Sequence, residues 1–147
     1  MPFITLPTEP GGPVIDVTVG VSHPRELQLR QFQEQVPSPM KLRALIDTGA
    51  SCTLITQGVV RWLRLPVRGV TPLRTPSTGE QPHDVEVFEI SLVIPMGGEQ
   101  FRRYAVVPVI GHSTIIQPGV EALIGRDILQ HSLFTYNGPE KTFLLGF

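Results

Sequence analysis

A chain of 147 residues that is 41% hydrophobic and 17% charged has the length and apolar content of one folded domain, residues 1–147, and not of a disordered segment. Its formal net charge is -1, with acidic and basic side chains interspersed, so no basic run marks a nucleic-acid or anionic-membrane partner. The single cysteine, Cys52, excludes an intrachain disulfide and a cysteine metal cluster, and no apolar run approaches the ~20 residues that span a bilayer.

Residues 1–7 lack the basic start and long apolar stretch of a secretory signal, so the expected compartment is the cytoplasm. Pro7 to Pro13 is a breaker cluster. Ile15, Val17, Val19 and Val21 then alternate with Asp16, Thr18 and Gly20, which predicts a half-buried strand. Residues 22–40 read as a long connection with a helical turn over Arg25–Phe32. Lys41 to Asp47 is almost wholly apolar from Leu42, apart from Arg43, and predicts a central strand. Thr53 to Thr56 continues as strand. Val59, Trp62 and Leu63 recur at helical spacing, predicting a short helix over Gln57–Leu65 that Pro66 terminates.

Residues 70–95 predict a long hairpin with its turn at Thr75–Glu80. Its return strand, Val85–Pro95, carries alternating Phe88, Ile90, Leu92 and Ile94. Met96–Glu99 turns into a strand over Phe101–Ile110, and a loop follows over 111–119. Val120–Ile124 is a short apolar strand, and Gly125–Gln130 starts a helix. Leu133–Tyr136, the turn Asn137-Gly138-Pro139, and Thr142–Phe147 form a terminal hairpin. The 15 Pro and 14 Gly support many short strands and tight turns. The fold class expected is all-β with one or two short helices.

The chemistry concentrates in Leu45-Ile46-Asp47-Thr48-Gly49-Ala50. An apolar strand delivers one carboxylate into a turn of small residues, and a carboxylate there is costly unless it is paired or used. Asp47 alone also fits a strand-end acceptor of turn amides. About 75 residues on, Ala122-Leu123-Ile124-Gly125-Arg126-Asp127-Ile128-Leu129 places a second apolar run before Gly-Arg-Asp. Between them, around Ser77, Thr78 and Gly79, lies the hairpin turn. His23, His83, His112 and His131 have no metal-ligand spacing, and no serine or cysteine sits in a hydrolase motif.

These three features, in this order, resemble the retroviral-type aspartic proteases, the retropepsin-like family, over roughly residues 14–147. The resemblance implies a closed or partly open β-barrel and an aspartic endopeptidase without metal or cofactor. One ionised carboxylate would activate water while a second, protonated, donates to the scissile carbonyl. The motif occurs once, so the resemblance implies a homodimer with Asp47 from each subunit. It implies that Thr48 bonds across the dimer axis, that the Gly49 carbonyl meets substrate backbone, and that Ala50 completes the loop. It places a flap at Ser77, Thr78 and Gly79 over an extended peptide bound as an added strand. Gly125, Arg126 and Asp127 would be structural, with Asp127 at a helix start. In retroviral members the matching arginine pairs with an aspartate two residues after the glycine; here Ser51 stands there. Family members interleave terminal strands, for which Phe3–Leu6 and Thr142–Leu145 are the candidates, although the terminal hairpin is long for that arrangement. The alternative is a non-catalytic peptide-binding or assembly module on the same fold.

Overall fold

The computed structural model describes residues 1–74, 81–113 and 116–147. Six strands close a barrel around one core. They are β2 (Val14–Val21), β3 (Met40–Ile46), β4 (Leu54–Thr56), β6 (His83–Pro95), β7 (Phe101–His112) and β8 (Ala122–Ile124). Their hydrogen-bonded order is β2-β3-β8-β4-β7-β6, and β2 pairs with β6 to close the ring. Closure removes the free edges that a six-stranded open sheet would present. The alternation seen in the sequence becomes the wall of the core: Ile15, Val17 and Val19 of β2 face Leu42, Ala44 and Ile46 of β3, and Phe88, Ile90, Leu92 and Ile94 of β6, all buried. β6 pairs with three neighbours, β2, β7 and β5 (Gly69–Leu73), and its register against β7 shifts between Ile90 and Leu92. β5 hangs outside the ring on β6 as the other arm of the expected hairpin. The turn expected to join them, including Ser77, Thr78 and Gly79, lies outside the described residues.

Among the described residues three helices form where one or two were expected. α1 (His23–Gln31) is longer than the helical turn anticipated over 25–32, and occupies what read as connection. Ser22 caps it by accepting from the Arg25 amide, Pro24 fits its first turn, and Arg30 bonds Glu26 one turn back. Only Leu29 of this helix is buried, so little apolar periodicity advertised it. α2 (Gln57–Trp62) is shorter than expected, since Arg64 turns the chain at φ 50 before Pro66 is reached. α3 (Arg126–Leu129) is a single turn.

The termini build a separate three-stranded antiparallel sheet in the order β1 (Phe3–Pro7), β10 (Thr142–Gly146), β9 (Leu133–Asn137). The two segments expected to interleave between subunits therefore pair with each other inside one chain, Phe3 opposite Gly146 through Pro7 opposite Thr142. β9 takes the remaining edge of β10, so the long terminal hairpin fills the place that a partner strand would need. The inner face of this sheet packs Ile4, Leu6, Phe134, Phe143 and Leu145 against the barrel core.

Candidate active site

Asp47 sits one residue past β3, the central strand of the parallel pair β3–β8. Ile46 lies opposite Ile124 in that pair, and the Asp47 amide donates to the Ile124 carbonyl at 3.0 Å. Two buried apolar strands thus end side by side and release their next residues, Asp47 and Gly125, at the same rim. The loop then turns tightly: the Ala50 amide donates to the Asp47 carbonyl at 3.2 Å, and the Gly49 amide donates to Asp47 Oδ1 at 2.8 Å. A Cβ on residue 49 would stand 3.0 Å from that same oxygen, so the small residue lets the amide approach the carboxylate. Asp47 is half-buried, while Thr48 and Gly49 are exposed. The Thr48 hydroxyl and the Gly49 carbonyl make no hydrogen bond among the described residues, so both remain available to a second molecule.

The Gly-Arg-Asp segment fixes this loop from beneath. The Arg126 amide donates to the Ala50 carbonyl at 2.9 Å, and Arg126 Nη1 donates to the Thr48 carbonyl at 2.8 Å. Arg126 therefore anchors the loop through a backbone carbonyl, which accounts for its having Ser51 rather than an aspartate at the expected partner position. Gly125 passes so close to the loop that a Cβ there would lie 2.5 Å from the Cys52 carbonyl oxygen and 2.6 Å from its carbon. Backbone, not a movable side chain, occupies that space.

Asp127 turns inward to Thr53. The Thr53 amide donates to Asp127 Oδ2 at 2.9 Å and the Thr53 hydroxyl to Oδ1 at 2.8 Å. The Ile128 amide adds a third bond to Oδ1, and the Thr53 hydroxyl accepts from the Gly125 amide at 3.2 Å. Both oxygens of Asp127 are thereby committed within the chain. Thr53 is the residue that sequence reading missed. It is only 1% exposed, ties its own segment to residues 125–127, and accepts from the Ile110 amide through its carbonyl, yet it reads in the sequence as an ordinary strand residue. Its one local signal is a hydroxyl at the head of an apolar strand, where a partner is obligatory.

Cys52 lies between these anchors. Burial pushes its thiol above the ordinary range; the Ser51 hydrogen bond opposes this, and the nearby Asp127 charge adds to it. Among the described residues no group of three or more His, Cys, Asp or Glu is placed to hold a metal ion, and no helix is long and apolar enough to cross a membrane.

The overall fold has a counterpart among solved structures. A retropepsin-like aspartic protease from Rickettsia conorii superposes with a TM-score of 0.60, covering 99% of this chain and 90% of that one. The fold is retropepsin-like. At 15% identity the likeness extends to architecture alone. No family model and no curated protein matches the chain by sequence. Within the retropepsin-like fold, the two apolar motifs of the sequence are the adjacent strand ends β3 and β8, and the residues following them form the anchored loop.

Proposed function

We propose that this chain is an aspartic endopeptidase that hydrolyses peptide bonds with water held between two Asp47 carboxylates, one from each subunit of a homodimer. The observation that carries this reading is the loop at the end of β3. It presents a half-buried carboxylate at an exposed rim, on a backbone fixed by Arg126 and by the Thr53–Asp127 pair. Such fixation is what proton transfer requires, since the acid and base must meet water and carbonyl within hydrogen-bond reach. Asp127 is committed through both oxygens to Thr53 and the Ile128 amide, so the second carboxylate is assigned to a second copy of Asp47.

In that pair, two carboxylates a few ångström apart share one proton, because both cannot ionise together. The ionised member takes a proton from the attacking water. The protonated member donates to the carbonyl oxygen as it gains negative charge. In the collapse of the tetrahedral intermediate the pair gives its proton to the leaving nitrogen, the C–N bond breaks, and a hydroxyl of the intermediate returns its proton to the pair as the carbonyl of the new carboxyl group forms, which restores the singly protonated pair. The substrate is an extended peptide, because strand addition across exposed loop backbone supplies the main-chain contacts. The Gly49 carbonyl is the acceptor offered to it.

The test is cleavage of an unfolded protein across acid to neutral pH, about 4 to 7, by the native chain and by Asp47→Asn. The native chain is expected to cleave, with inhibition by a hydroxyl-bearing transition-state mimic, and Asp47→Asn to be inert. Absence of cleavage throughout this range would turn the reading towards a non-catalytic peptide-binding module.

A further inference from the structure

The terminal sheet buries one face and leaves the other bare. Rows across β1, β10 and β9 read Phe3–Gly146–Leu133, then Thr5–Leu144–Thr135, then Pro7–Thr142–Asn137. The eight side chains of these nine residues point away from the barrel, because Ile4, Leu6, Phe134, Phe143 and Leu145 between them pack onto the core. None of the nine is charged, although a sixth of the whole chain is. Phe3 is 61% exposed and Leu133 52% exposed. Gly146 between these two is buried beneath the N-terminus; a Cβ at 146 would come within 3.1 Å of the Met1 sulfur.

We infer that this face is the surface on which a second copy of the chain docks, as two preformed sheets pressed together and not as strands exchanged between subunits. This rests on the two-Asp47 reading above and adds to it the interface and the order of assembly. Charge selects the occupant. Around a two-fold axis a patch meets its own copy, so any charge near the axis meets the like charge, and a charge-free face satisfies itself. The apolar row supplies the anchors, Phe3 and Leu133, which pack against the partner's copies of the same row.

The sheet is also joined to the site. β9 follows α3 after residues 130–132, and α3 begins at Arg126, which holds the Thr48 carbonyl. A stable dimer removes about 800 Å2 from each partner, more than the outer face of one short three-stranded sheet provides, so the contact continues to the exposed Thr48–Gly49 loop. Because β1 and β10 already satisfy each other within the chain, the protomer is folded before it dimerises. The monomer is then a folded, inactive species, and activity is set by protein concentration.

The test is sedimentation of the Asp47→Asn chain across the micromolar range, alone and with Phe3→Glu and Leu133→Glu together, with circular dichroism as the check on folding. The expected result is a dimer for Asp47→Asn and a rise of ~100-fold or more in dimer Kd for the triple variant, with an unchanged spectrum. Should the double charge change prevent folding, Thr135→Cys in a Cys52→Ala background replaces it. Mild oxidation is expected to link two copies through residue 135, while Glu140→Cys at the hairpin tip does not link. A dimer unaffected by both glutamates, a dimer that residue 135 fails to link, or a chain monomeric throughout overturns the inference. Peptidase activity is not read here. A dimer that behaves as expected while the native chain cleaves nothing would sink the protease reading and leave the interface standing.

Discussion

Replacing Thr53 by valine keeps the volume of the side chain and removes only its hydroxyl. In the native chain that hydroxyl donates to Asp127 Oδ1 at 2.8 Å and accepts from the Gly125 amide at 3.2 Å, in a position 1% exposed. Loss of a hydrogen bond to a charged acceptor costs about 1.5–3 kcal/mol, and an amide left unsatisfied in the interior about 1–3 kcal/mol. The Thr53 amide still reaches Oδ2 and the Ile128 amide still reaches Oδ1, so the carboxylate is not stranded. We expect a destabilisation of about 3 kcal/mol, a large share of the ~5–15 kcal/mol that holds a domain together. With a urea dependence of ~2 kcal/mol/M, the unfolding midpoint should fall by about 1.5 M at unchanged slope. Thr53→Ser keeps the hydroxyl and loses one buried methyl, so it should cost about 1 kcal/mol. If valine shifted stability by less than about 0.5 kcal/mol, or cost no more than serine, the argument that Thr53 and Asp127 hold the loop would be refuted.

Three further outcomes follow from the same geometry. Gly125→Ala forces a methyl to within 2.5 Å of the Cys52 carbonyl, which only backbone movement relieves. It should cost at least ~3 kcal/mol by urea unfolding and abolish cleavage, whereas Gly69→Ala, with open space at its Cβ, should be nearly neutral. Asp47→Asn retains an oxygen for the Gly49 amide, so its stability should fall by less than about 1 kcal/mol while activity disappears; a large loss of stability would mean that Asp47 is structural. The Cys52 thiol, held above its ordinary 9.0 by burial, should stay protonated and alkylate slowly at pH 8. A raised pKa in the folded state favours the protonated form there. The native chain should therefore lose stability relative to Cys52→Ala only as pH climbs above about 9.

What could be read from residue order was local. The strands β2, β3 and β6 appear in the sequence because each alternates or runs apolar over enough residues to show its period, and burial in the barrel follows that period. The loop at Asp47 and the segment at Gly125 were visible as motifs, since an apolar run ending in a carboxylate or a glycine is unusual. The links between them were not. Thr53 and Asp127 are 74 residues apart, and nothing in either residue type names the other. The acceptor of Arg126 is the carbonyl of Thr48, a group that every residue carries, so a search for an acidic partner could not find it. α1 is fixed by its cap and by Pro24 more than by burial, and a helix with one buried side chain leaves a faint pattern. The terminal strands were legible as strands, but their partners were not, because backbone hydrogen bonds are the same within a chain and between chains.

The central claim is that Asp47 is half of a shared site. It is tested most directly by holding the native chain at constant concentration, adding Asp47→Asn chain in increasing excess, allowing subunits to exchange, and measuring peptide cleavage. If both carboxylates are required, every mixed dimer is inert, and activity should fall in proportion to the fraction of native chain in the mixture. Cleavage that stays constant as the mutant is added would show that one Asp47 suffices, and would contradict the account.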